Sequence, residues 1–285
     1  MINFIINVLE QGSLYAILSI GVMISYKIIG LSDLSVDGTY PLGAVVSAVL
    51  IMGGMSPWLA LLVSFVAGVL AGSVTGILHV KLKISSLLSG ILVMTGLYSI
   101  NLMIAGGKSN LPLLNERNLF DGFNFPYARL IVLVSMVMLI KFLVDWLLNT
   151  KLGYLLKVTG DNEGLVTGLG HDVGAVKIIG LSLSNGLVAL SGGVAASVGK
   201  YYDITLGTGM VVMGLSSVML GTLLLRRFSV KDTTMVIVGS IAYRFIVALA
   251  IRFGLDPQHM KLVTVIIFVV AIVLNNGGFR MRKGA

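Results

Sequence analysis

Nine stretches of mainly apolar residues follow one another along the chain, near 3–26, 35–52, 57–78, 84–105, 128–148, 177–198, 208–225, 232–251 and 260–276. Each approaches the roughly 20 residues that an α-helix needs to cross the hydrocarbon core of a bilayer. At that depth there is no water to satisfy a stray backbone group, so lipid-facing segments cross as helices that close their own hydrogen bonds. Composition agrees: 56% of the side chains are hydrophobic and 11% charged, where a soluble domain carries about a quarter charged. Such a chain cannot cover its apolar surface with polar groups. The expectation is an all-α, polytopic integral membrane helix bundle of about nine spans (8–10), a single transmembrane domain over residues 1–285.

The opening segment, MINFIINVLEQGSLYA, lacks the basic flank of a cleaved signal and reads as the first span. The two least regular spans are 35–52, which contains Pro41, and 208–225, which is rich in Gly and Ser. Both are candidates for broken or re-entrant elements, tolerable where protein or a wet cavity meets the irregular backbone. Gly68, Gly72 and Gly76 recur every four residues in the third span, a stripe for close helix packing.

Basic residues sort unevenly between the connections. One set holds Lys27, Lys81, Lys83, Lys151, Lys157, Lys177, Arg226, Arg227, Lys231, Arg280, Arg282 and Lys283; the other holds Lys108, Arg117, Arg129, Lys200, Arg252 and Lys261. Cytoplasmic loops collect Lys and Arg. The richer set therefore faces the cytoplasm, with the N-terminus outside and the C-terminus inside. The same bias accounts for the net charge of +8 with no nucleic-acid partner. The longest outer connection, Gly106–Tyr127, is expected to be a loop, serving either as a docking surface or as a passive connector.

Several chemistries are excluded. Gly193–Tyr201, GVAASVGKY, misses the phosphate-loop spacing by one residue and has Tyr201 where a hydroxyl residue is needed. His79, His171 and His259 fall in separate loops without ligand spacing, and there is no cysteine for a thiolate site or nucleophile. No serine elbow or helical pair of carboxylates is present. The chain is expected to be neither an enzyme nor a holder of any metal or cofactor.

The positive signals lie in three places. The polar stretch Thr150–Lys177 offers Asp161 as a helix N-cap, Glu163 at the positive end of the dipole and Gly170 as a left-handed terminator. The product is a two-turn helix presenting Leu165 and Leu169 on one stripe with Val166 beside them. It is too short to hold itself together, and reads either as a connector or as a docking piece. The stretch Leu31–Ala44, LSDLSVDGTYPLGA, offers Asp33 or Ser35 as a cap, with Gly38 and Pro41 interrupting regular bonding. It is either a capping loop or a broken helix meeting solute. Third, Arg244 lies within an apolar span, where an arginine costs about 2.5–3.5 kcal/mol. It reads as a structural ion pair or a pathway residue; Glu10 and Asp145 are acids within spans that could also reach an interface, and which acid, if any, pairs with Arg244 is left open. Ser182, Ser184, Asn185 and Ser191 give the sixth span a polar edge, open to a solute route or to interhelical bonding.

Two of these stretches resemble one family. Asp33–Ala44, with its DLSV start, and Gly160–Val173, GDNEGLVTGLGHDV, followed by Lys177 and LSGGVAA, are similar to segments of ribose-type and branched-chain amino-acid-type ABC importer permeases. Within that family the chain looks most like the small single-permease branch linked with aromatic amino acids. The resemblance implies a type II-like permease fold in a bacterial plasma (inner) membrane. It implies a subunit importing a small polar solute, foremost an amino acid, with ATP and Mg held on separate cytoplasmic ABC ATPases. The further partners are a second permease copy, expected as a homodimer, an extracytoplasmic solute-binding protein, and membrane lipid. Carried over by position, Asp161, Asn162, Glu163, Leu165, Val166, Leu169 and Gly170 form a coupling helix within the cytoplasmic segment 150–177. Asp33, Ser35, Asp37, Gly38 and Thr39 then lie near the translocation route, to which Asn185 and Arg244 are added from their place within spans. The chain departs from the family's alanine-rich pattern at Gly164, Leu165, Val166 and Thr167. The alternative is an ion-coupled secondary transporter, which needs Glu10 or Asp145 as its coupling acid.

Overall fold

The computed structural model describes residues 2–114, 116–123, 127–256 and 259–280, the last five as backbone only. Pro126 of the outer loop, and Arg282 and Lys283 of the basic tail, lie outside the described residues. The elements run α1 Ile2–Met23, a π-helical turn Ile24–Ile28, α2 Val36–Met52, α3 Pro57–Val80, α4 Ser86–Ile104, β1 Asn110–Pro112, α5 Ala128–Leu148, α6 Lys151–Asp161 and α7 Glu163–Gly168. They continue with α8 Val173–Gly199, β2 Tyr201–Asp203, a 3-10 turn Ile204–Gly207, α9 Met210–Leu225, α10 Asp232–Arg252 and α11 Met260–Arg280. Among the described residues seven helical segments are long and apolar enough to cross a membrane, and α2 and the first part of α11 are shorter apolar helices. All nine expected spans are present as helices.

The centre of the bundle is α8, whose 27 residues span about 40 Å at 1.5 Å per residue. It packs on α1, α2 and α3. The close fit comes from the glycine stripe: a Cβ at Gly68 would collide with the carbonyl of Asn185, one at Gly72 with that of Leu181, and one at Gly76 with the backbone of Ile178. Without side chains on that stripe, α3 lies directly on α8. Hydroxyls then stitch α8 to its neighbours, Ser184 Oγ donating to Gly21 O at 2.7 Å, Ser191 Oγ to Leu14 O at 3.1 Å, and Ser182 Oγ meeting Ser73 Oγ at 2.8 Å. Interhelical bonding is thus what the polar edge of α8 does.

Both irregular spans are irregular for visible reasons. After α1 the chain tightens into the π turn and folds back through Ile29–Ser35 before α2 begins. Pro41 lies inside α2 and has no N–H for the carbonyl of Asp37, one turn earlier. Gly207 packs against that freed carbonyl so closely that a Cβ there would overlap it. The chain reaches this point by dipping from β2 through the 3-10 turn, and only then does α9 start. β1 and β2 pair antiparallel, with Asn110 opposite Asp203 and Pro112 opposite Tyr201. This ladder adjoins the last residue of α8, while α6 and α7 precede its first.

Candidate coupling helix and interior polar site

At the end of the bundle opposite the ladder, α5 ends at Leu148 and Thr150 caps α6, its hydroxyl oxygen accepting from Gly153 N at 3.4 Å. Gly160 near the end of α6 lies against the carbonyl of Ile28, closely enough that a Cβ would collide with it. The next helix, α7, is capped by Asn162, whose Oδ1 accepts from Leu165 N at 3.2 Å. This corrects the sequence expectation: Asp161 is the last residue of α6 and not the cap. Extended backbone at residue 162 separates the two helices, so the cap falls one position later. Gly170 has φ +77° and the amide of His171 donates back to Val166 O at 3.2 Å, closing α7 as expected.

Two contacts hold this short helix. Glu163 Oε1 lies 2.7 Å from Lys177 Nζ on α8, and the Val166 side chain is fully buried, at 0% exposure. Val166 therefore faces the chain's own body. Leu165 and Leu169 face outward instead, 53% and 63% exposed. Full burial of each leucine by a partner is worth about 1.5–3 kcal/mol. The mainly apolar outer face of α7 is held rigid and left open.

A second site lies inside the bundle, beside the middle of α8. Asp33, 6% exposed, accepts from Ser35 N at 2.8 Å through Oδ1 and from Asn185 Nδ2 at 2.7 Å through Oδ2. Ser35 Oγ donates to Asn185 Oδ1 at 3.1 Å, and Thr39 Oγ1 donates to Ser35 O at 3.0 Å. Four expected pathway residues, Asp33, Ser35, Thr39 and Asn185, thus form one network. Asp37 and Gly38 flank it with different duties. The Asp37 carboxylate caps α9, accepting from Gly209 N at 3.0 Å and Val211 N at 2.8 Å. Gly38 lets α2 approach α4, and its carbonyl accepts from Asn101 Nδ2 at 3.2 Å. Asn101, a buried amide in an apolar span, and Gly90, whose lack of a Cβ admits the backbone of Leu34 and Ser35, were missed in the sequence. A lone Asn in the last turn of an otherwise apolar span was the available signal.

Arg244 stands apart from this network. Its guanidinium lies 3.9 Å from the Tyr15 ring centroid, and Nη2 donates to Gln11 Oε1 at 3.4 Å. Neither of the two acids within spans, Glu10 and Asp145, is its partner. Glu10 pairs with Arg129 at 3.2 Å, while Asp145 binds Lys141 at 2.8 Å, Lys231 at 3.2 Å and Thr233 Oγ1 at 2.6 Å. The structural ion pair that the sequence allowed for Arg244 is not formed with either. On the β1–β2 ladder, burial pushes the Asp203 carboxyl up. Hydrogen bonds from the Thr205 hydroxyl and N–H and from Asn110 outweigh it and hold the group below the usual carboxylate range.

The fold and these sites define a multi-pass helical membrane protein with a rigidly mounted short helix at one end and a polar knot at its centre. Residues 4–275 match the family described as Branched-chain amino acid transport system / permease component, and the chain belongs to that family of transport permeases. It is 42% identical to the Tyrosine transport system permease protein of Clostridioides difficile (strain R20291), over 98% of this chain and 94% of that one. It is 32% identical to the Uncharacterized protein RP368 of Rickettsia prowazekii (strain Madrid E), over 95% and 97%. It is also 24% identical to the Ribose import permease protein RbsC of Escherichia coli (strain K12), over 96% and 86%. No solved structure matches the chain.

Proposed function

We propose that this chain is the permease subunit of an ABC importer for a small polar solute, an amino acid, driven by ATP and Mg on a separate cytoplasmic ATPase. The observation that carries the reading is the exposed Leu165–Leu169 face on a helix otherwise capped, clamped by Lys177 and anchored by Val166. A helix that served only to connect would gain from burying those leucines itself. The amino-acid class is supported by the family description and by the tyrosine permease among its relatives.

Movement at α7 has two short routes inward. Through Lys177 it reaches α8, which carries Asn185 two turns further on. Through α6 and Gly160 it reaches Ile28 and the loop that carries Asp33 and Ser35. The routes meet at the Asp33–Asn185 hydrogen bond. A ligand or motor shifts a two-state bundle only through contacts that differ between the states, and in this reading the Asp33–Asn185 bond is the contact that changes. The residues Asp33, Ser35, Asp37, Gly38, Thr39 and Asn185 border the route in this reading. The second permease copy, expected to make a homodimer, an extracytoplasmic binding protein and surrounding lipid complete the assembly. The N-terminus is outside and the C-terminus cytoplasmic in a bacterial inner membrane.

The engagement of Glu10 with Arg129 and of Asp145 with two lysines weighs against the ion-coupled alternative. The test replaces Leu165 and Leu169 together with Asp in the reconstituted complex. Solute-stimulated ATPase activity is expected to fall to the unstimulated level while the bundle's melting temperature is kept. Unchanged stimulation would sink the assignment.

A further inference from the structure

A cavity of about 430 Å3 opens between α1, α9, α10 and α11, within the 300–1,000 Å3 range of small-ligand sites. Two cationic side chains, Arg244 and Lys261, line it, and no acidic side chain does among the described residues. Lys261 reaches Thr208 Oγ1 at 3.3 Å. Arg244 has the Tyr15 ring and the neutral Gln11 for company, and its Nε is buried without an acceptor. Asp37, which caps the N-terminus of α9, is a carboxylate whose charge acts on Lys261, while Glu10 pairs with Arg129. The rest of the wall is apolar or aromatic, Met213, Val247 and Tyr243 among it.

A guanidinium in a low-dielectric cavity with an unused N–H attracts an anion, and charge-assisted bonds to carboxylate or phosphate are the strong ones. We infer that this cavity is a binding site for an amphiphile with one anionic head, a carboxylate or phosphate, and an apolar body. Arg244 and Lys261 hold the head, and Met213 and Val247 take the body. Two sources carry that chemistry, an anionic phospholipid entering from the bilayer and the carboxylate of an amino-acid solute. The site stands on its own geometry and does not depend on the coupling role of α7.

The experiment is thermal melting of the purified permease in neutral detergent, with four added compounds: phosphatidylglycerol, phosphatidylcholine, L-tyrosine, and tyramine, which lacks the carboxylate. Either anionic-headed compound is expected to raise the melting temperature by several degrees, with phosphatidylcholine and tyramine inactive. A shift from phosphatidylglycerol alone names the lipid as the source, and one from tyrosine alone names the solute. Arg244→Gln should abolish the shift, Lys261→Gln should reduce it, and Lys83→Gln in a distant loop should leave it whole. Should Arg244→Gln fail to fold, Arg244→Lys and Lys261→Gln carry the test, each expected to weaken the response several-fold. The inference is overturned if no anionic compound shifts the melt, if zwitterionic phosphatidylcholine or cationic tyramine shifts it equally, or if the shift is unchanged in the variants. Loss of ATPase stimulation in the α7 variant would leave all these readings as they are.

Discussion

At the scale of single residues, the buried knot around Asp33 has a sharp consequence. Asp33 satisfies one backbone N–H and one side-chain amide N–H, from Ser35 and Asn185, inside the protein. Removing it with Asp33→Ala strands both donors, although Asn185 Nδ2 keeps Leu181 O at 3.1 Å. Each stranded buried group costs about 1–3 kcal/mol, so the variant is expected to lose roughly 2–4 kcal/mol. Asp33→Asn should lose much less. Its carbonyl still takes the Ser35 amide, and turning the Asn185 amide over gives the new N–H an acceptor while giving up only the Asn185–Leu181 bond. Denaturant melts of the two variants in detergent measure the difference, and equal losses would refute the network. The sequence showed that Asp33, Ser35 and Asn185 were polar residues in apolar company, but 150 residues separate Ser35 from Asn185. Which of them meet is decided by how α2 crosses α8. The misplaced cap at Asp161 is a subtler case, since Asp and Asn cap equally well. Only the break between α6 and α7 selects Asn162.

At the scale of elements, periodicity revealed what repetition controls. The glycine stripe of α3 was legible because spacing by four marks one helix face, and α8 lies on that face. Gly72→Val would force α3 off the Leu181 carbonyl and the Asn185 Cβ, which backbone alone cannot yield. It is expected to destabilise the bundle by about 1–3 kcal/mol, the usual cost of overpacking. Gly96→Val on α4, where added atoms meet nothing within 4 Å, should leave the melting temperature nearly unchanged. Comparing the two in one melting series separates close packing from mere loss of a flexible residue. The π turn and the two three-residue strands were not legible. A strand that short carries no alternation to read, and its pairing depends on α8 delivering Tyr201–Asp203 beside the outer loop. Pro41 announced an interruption in α2. That Gly207 would fill the resulting gap is a fact of tertiary approach.

At the scale of the whole molecule, α8 fixes the distance between the two working ends. Its first turn follows α7 and its last adjoins the β ladder, so those two features lie about 40 Å apart. In the proposed orientation, read from span count and charge bias, α7 faces the cytoplasm and the ladder the exterior. The chain contains no cysteine, so single cysteines report sidedness without a background. Lys108→Cys, exposed beside the ladder, and Asp161→Cys, exposed at the end of α6, are the informative pair. Asp161 serves better than Asn162 because it caps nothing, so its replacement leaves α7 intact. In intact cells a membrane-impermeant maleimide is expected to label Lys108→Cys and to spare Asp161→Cys until the membrane is opened. The opposite pattern would invert the molecule and put Leu165 and Leu169 out of reach of any cytoplasmic ATPase. Labelling of both from outside would mean an even number of crossings between them, against the single crossing, α5, that lies between the end of α4 and the start of α6. Since that single helix, α5, is apolar along its 21 residues apart from Arg129, Ser135, Lys141 and Asp145, the labelling result tests directly whether it crosses the bilayer.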